Sequence, residues 1–288
     1  MTTTPQTLVE NIDQLVSLPD VCIRVNEMVD SANYSATRVA EVISQDVDIS
    51  ARLLRLVNSA LFGLQSKVDT ISRAVAIAGS DEVRSLVMAT TAVRSFTGIP
   101  EELVNMATFW RHSIMTGVMS QLLATHTKTL HSERLFVMGM LHDVGRLVIY
   151  LTLPEKAREI LLVTGGDDWV SAEAEEDALG FNHMDVGAEL MRAWGLPEGL
   201  EMVAHHHHRP SEARDHQRDV ALVHIAWAVA RGETAGFSVD EMLWAIDPVA
   251  WEVTGLNPQI VAPMVEEMLT KSAETINLML APMSRKRA

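Results

Sequence analysis

Apolar residues recur along most of the chain at the i, i+3, i+4 spacing of a helix. In SATRVAEVISQDVDISARLLRLVNSALFG, Ser35 offers a cap and Val39, Val42 and Ile43 form one stripe. Asp46–Val47–Asp48 interrupts the stripe, and a second helix carries Leu53, Leu54, Leu56 and Val57 towards Asn58. TISRAVAIAGSDEVRSLVMATTAVRSF predicts a further pair, divided at Gly79–Ser80–Asp81. No region alternates with the period of two that a half-buried strand needs. The pattern predicts an all-α protein. Thr97–Pro100 punctuates it, predicting an amino-terminal helical lobe over 1–100 and a helical bundle over 101–288. GGDDWVSAEAEED, Gly165–Asp177, is acidic and predicts a mobile connector.

Composition narrows the classes of function. The 48% hydrophobic share of 288 residues supplies an ample core. With 23 basic against 38 acidic residues the net charge is −15, which argues against a nucleic-acid or anionic-membrane partner, since either requires a basic surface. The acidity predicts basic or neutral protein partners, and SRKRA at Ser284–Ala288 reads as a solvated tail. Cys22 is the sole cysteine, so no intramolecular disulfide forms. No stretch approaches eighteen unbroken apolar residues, and no basic start precedes an apolar run. A cytoplasmic protein is expected.

The candidate chemistry is histidine chemistry. All eleven histidines follow residue 110. MLHDVGRLV, Met140–Val148, buries an adjacent His142 and Asp143 in an apolar run, which is costly unless something satisfies them. His112 leads Met115, Val118 and Leu122 at helical spacing, and His183 leads Gly187, Leu190 and Trp194. In the run His205–His208, with Leu200 at zero, His207 falls roughly 20° away and His208 roughly 80°. His205 and His206 fall on the far side, towards solvent. A lone inward histidine is more often bonded to a carbonyl than to a metal, and His224 is read that way. His126, His131 and His216 are read as solvated. Several inward histidines and an aspartate on separate helices are harder to dismiss, because helical bundles build metal sites in this manner.

This order of residues resembles the HD superfamily of metal-dependent phosphohydrolases, and more specifically the HDOD proteins of bacterial signalling. ISQDVDISARLLRLVNSALFG (Ile43–Gly63), EEDALGFNHMDVGAELMRAWGLP (Glu175–Pro197) and HHRP (His207–Pro210) carry the resemblance, over about residues 15–230. Cys22 departs from it, standing where a proline is usual. The resemblance implies an HDOD-type amino-terminal lobe followed by an HD-like bundle, and a regulatory role in signal transduction. It implies one ligand set of His112, His142, Asp143 and a later aspartate, whose place is taken by Trp227. It implies a second set of Asp143, His183, His207 and His208, which is complete. Arg146 replaces the lysine of the cyclic-dinucleotide hydrolases, and their Gly-Tyr-Pro signature is absent; arginine is not an equivalent replacement. Glu175 is the acid expected eight residues before His183, beside a cleft.

The reading preferred on these residues is a non-catalytic module contacting signalling proteins. Its alternatives are phosphoester hydrolysis, including cyclic dinucleotides, and a single-metal sensor. Three histidines and one aspartate suit iron, manganese or zinc. A homodimer is compatible with all three readings.

Overall fold

The computed structural model describes residues 3–12, 19–29, 35–64 and 66–280; the SRKRA tail lies outside them. No strand is present among the described residues. The first six helices are α1 (Pro5–Ile12), α2 (Asp20–Val29), α3 (Ala36–Ser44), α4 (Val47–Val57), α5 (Ile71–Ala78) and α6 (Ser80–Ser95). The middle of the chain forms α7 (Met106–His126), α8 (Glu133–Leu141), α9 (Val144–Thr152), α10 (Pro154–Thr164), α11 (Asp168–Leu179) and α12 (His183–Ala193). There follow α13 (Glu198–His206), α14 (Gln217–Ala235), α15 (Val239–Trp244), α16 (Pro248–Thr254) and α17 (Val261–Leu280).

The expected interruptions are real, and their causes are local. Ser35 accepts a hydrogen bond from Arg38 N, and Asp46 accepts from Asp48 N and Ile49 N, so each caps the helix that follows. Gly79, at φ 92°, separates α5 from α6 in a conformation that L side chains rarely adopt.

Buried apolar side chains form one cluster from Leu8 to Met279, continuous across Thr97–Pro100. Long α7 lies at its centre against α8, α14 and α17. α7 and α14 are buried on nearly every face, which is why neither shows a clean amphipathic stripe. α1 crosses to the other half of the chain and packs on α9 and α12. Glu133–Thr152 is long and apolar enough by composition to cross a membrane, yet 89% of it is buried inside the bundle. It is the core spine α8–α9.

The acidic stretch Gly165–Asp177 corrects the sequence reading. It is not a connector: α11 covers most of it, with Ser171, Ala172 and Glu175 buried. Its exposed acids mask an inward face only a few residues wide.

Candidate metal centre

His142 and Asp143 occupy the break between α8 and α9, His142 ending one helix and Asp143 opening the next. The break turns both side chains inward from adjacent positions, which an uninterrupted helix would not allow. The Nδ1 of His142 lies 2.6 Å from the Gly139 carbonyl. A carbonyl only accepts, so Nδ1 carries the proton and Nε2 keeps its lone pair. His207, the residue that caps the end of α13, is fixed in the same way: its Nδ1 donates to Ala204 O at 3.0 Å. Its backbone carbonyl accepts from His224 Nδ1 at 2.7 Å, and His224 Nε2 accepts from Asp247 N at 3.0 Å. His224 is therefore fully bonded and structural, as expected.

His183 begins α12, whose start is set by a reciprocal capping arrangement between Asn182 and Asp185. Glu175 on α11 accepts from both the backbone N and the Nδ1 of His183, at 2.7 and 2.6 Å. That leaves the Nε2 of His183 facing Asp143. The approach of α9 to α12 depends on Gly145: a Cβ there would stand 2.0 Å from His183 O and 2.6 Å from Gly187 N. Both are backbone atoms, so a side chain would force the helices apart. Gly145→Ala is expected to lower stability by about 1–3 kcal/mol or more, the range for overpacked cores, and to displace His183. Chemical denaturation of the metal-free protein checks it.

The side chains converge on Asp143. Its Oδ1 lies 3.4 Å from His183 Nε2 and 3.6 Å from His207 Nε2, and its Oδ2 lies 3.7 Å from His142 Nε2. His208 Nε2 is 3.2 Å from His183 Nε2. Two donor groups result, with ligand atoms all within 4.8 Å in each: Asp143, His183, His207 and His208, and His112, His142 and Asp143. The Nε2 atoms of His142 and His207 are buried without a hydrogen-bond partner. Lone pairs thus face a carboxylate across gaps too long for hydrogen bonds. Ligand atoms sharing one ion at bonds of about 2.0–2.2 Å stand roughly 3–3.6 Å apart, so the donor set fits a divalent cation. His183 with Glu175 behind it has the carboxylate–histidine arrangement that orients metal ligands.

The electrostatics agree with a site built for positive charge. Burial alone would raise the pKa of Asp143, but Arg146, His142, His207 and His183 together hold it well below the ordinary carboxylate range. Arg146 donates from Nε to Asp143 Oδ1 at 2.9 Å, with both side chains 5% exposed. Glu175 is likewise lowered: burial opposes ionisation, while His183 and then Arg146 favour it. Burial pushes His142 and His208 well below the usual imidazole value, and pushes His207 down as well. It takes His224 to about 4.

These four imidazoles stay neutral in the fold, whereas in the unfolded chain they protonate near pH 6.5. The unfolded state therefore binds more protons as pH falls, and stability falls with it. Urea midpoints of the metal-free protein are expected to drop steadily from pH 7 to pH 5.

Trp227 on α14 is fully buried and stands edge-on to His208, ring centroids 4.3 Å apart at 87°. It lies 6.4 Å from the ring of His207. The indole thus flanks the complete donor group. His205 and His206 are half-buried rather than fully solvated, because α13 ends within the run and the chain turns back on itself. His205 sits 3.1 Å from Asp185. His208 points inward because it follows this turn, not because of a helical wheel. Gly145 and the His224–Asp247 link were not visible as site residues in the sequence; the one signal for Gly145 was its place within MLHDVGRLV.

The HDOD domain sequence pattern matches residues 15–210. The chain belongs to the HDOD domain family. An uncharacterised protein of Treponema pallidum (strain Nichols) is 25% identical over 233 residues, covering 79% of this chain and 45% of that protein. The cyclic di-GMP phosphodiesterase CdgJ of Vibrio cholerae serotype O1 is 27% identical over 179 residues, covering 54% of this chain and 40% of CdgJ. This HDOD chain spans less than half the length of the two curated relatives it matches. A crystal structure from Shewanella amazonensis SB2B, described as a proposed phosphohydrolase, superposes at TM-score 0.73 and 26% identity, covering 94% of this chain and 97% of that one. An HDOD domain protein of unknown function from Geobacter sulfurreducens gives TM-score 0.74 at 24% identity, covering 96% and 98%, and supports the all-α fold.

Proposed function

We propose that this HDOD protein is a non-catalytic signalling module whose HD-type centre holds one divalent ion and which acts through contacts with signalling proteins. The observation that carries the reading is Trp227, a buried indole packed on His208, at the position where the resemblance expects the aspartate that would complete the His112, His142 and Asp143 set. His142, Asp143, His183 and His207 are between 0 and 4% exposed, which leaves little approach for a phosphoester. Two-metal hydrolysis needs both ions and an open face for the substrate. A bound ion here would cross-link α9, α12 and the end of α13, and fix the bundle.

The second reading, phosphohydrolysis, is favoured by likeness to the Shewanella protein and by CdgJ. One experiment separates the two. Protein loaded in turn with iron, manganese and zinc is dialysed, its metal content measured, and phosphomonoesters, phosphodiesters and cyclic di-GMP are offered. About one ion at the centre without turnover is expected; stoichiometric, repeated hydrolysis would overturn the proposal.

Glu175 gives a finer check on the same centre. Glu175→Gln removes the charge behind His183 while keeping its size. Affinity for the ion is expected to fall about 10–100-fold, the usual effect of losing such a partner, in competition against a chelator.

A further inference from the structure

Away from the Asp143 centre, three segments far apart in the chain enclose a cavity of about 430 Å³. They are the turn after α4 from Ala60 to Gly63, the end of α7 from Gln121 to His126, and α17 between Met264 and Lys271. That volume falls within the range of about 300–1,000 Å³ typical of small-molecule sites.

Gln121 is the buried polar side chain in its wall, 7% exposed. One bond fixes its orientation: the side-chain Nε2 donates to Leu61 O at 3.1 Å. A carbonyl only accepts, so the amide nitrogen lies at that end and Oε1 at the other. Oε1 is buried and has no hydrogen-bond partner among the described residues. A buried acceptor left unmet is costly, and native proteins rarely tolerate one.

The rest of the lining defines what would meet it. Phe62, Leu122 and Met264 give apolar surface, with an aromatic ring and a thioether suited to a flat partner. Lys271 Nζ is held by Glu267 Oε1 at 3.0 Å, and both residues line the cavity. That cation is already neutralised, so a phosphate or carboxylate would give up its water for no free positive charge. The lining favours a neutral ligand.

We propose that this cavity binds a small, neutral, flat heterocycle whose amine or amide N–H donates to Gln121 Oε1, with its ring against Phe62 and Met264. The site goes beyond the ion-binding reading and does not depend on it.

The test is titration calorimetry on the full chain in excess chelator, which keeps the probes off any metal at Asp143. The probes are adenosine and nicotinamide, each beside a counterpart of similar shape without the donor, purine riboside and methyl nicotinate. Saturable binding is expected for at least one donor-bearing probe, about tenfold tighter than its counterpart, the factor that one hydrogen bond supplies. Gln121→Met, which has no comparable acceptor, is expected to erase that preference. Ala60→Trp is the second variant: Ala60 is exposed at the cavity edge, so an indole there obstructs entry without disturbing the core. It is expected to abolish binding of either probe. No saturable binding by adenosine or nicotinamide, the outcome if a water meets Oε1 instead, would rule the site out. So would equal affinity for each probe and its counterpart, a preference that survives Gln121→Met, or unchanged binding in Ala60→Trp.

Discussion

Asp143→Ala is expected to empty the central site and to destabilise the fold even when no metal is supplied. Asp143 is common to both donor groups, so no complete ligand set survives its loss. Arg146, 4% exposed, would be left buried beside the space its carboxylate partner had filled. Breaking a buried ion pair by removing one partner costs about 3–5 kcal/mol, far more than an exposed pair contributes. In a domain of this size that corresponds to a fall in Tm of roughly 6–20 °C. Measuring wild type and variant in chelator isolates this part from metal binding.

The pH dependence distinguishes the ion pair from simple loss of packing. The folded pKa of Asp143 is depressed, so its contribution is complete above the unfolded value near 4 and is lost as pH falls further. The gap between wild type and Asp143→Ala is therefore expected to persist at pH 7 and 5 and to narrow only below about 4. A gap that closes already between pH 7 and 6 would refute the assignment.

Trp227→Asp has the second large effect, and its sign depends on metal. Removing a buried tryptophan side chain costs about 3–5 kcal/mol through lost contacts and the cavity left behind. The new carboxylate would also enter an apolar setting beside His208, where an unpaired charge is expensive. The chelated variant should therefore melt well below wild type. Added manganese or iron is expected to restore much of the loss, because a cation converts that charge from a burden into a ligand. Wild type, lacking the acid, should recover less. If the variant melts at the same temperature with and without metal, the indole does not stand at a ligand position.

The helical periods were legible because most interruptions are chemical: Asp46 and Gly79 end stripes by capping and by positive φ, and both are visible as residue types. The stretch around Glu175 was not, because one buried acid among exposed ones looks like the rest until α12 supplies His183. The same holds for the histidines. Identity and helical spacing pick out His183 and His207, but His208 turns inward only because α13 stops, and a stop inside a homogeneous run leaves no mark. His224 reads as structural from its place in an apolar helix, yet its tie to the His207 carbonyl depends on how α13 and α14 meet. Tertiary contacts of this kind have no local signature.

The packing of α1 on α9 and α12 has a mechanical corollary. Those two helices bring Asp143 and His183 face to face, with main chain against main chain at Gly145. A force that peels α1 away would loosen the clamp on that seam and widen the gap between carboxylate and imidazole. α1 thus buttresses from outside the two helices that carry the centre, without contributing a single ligand to it.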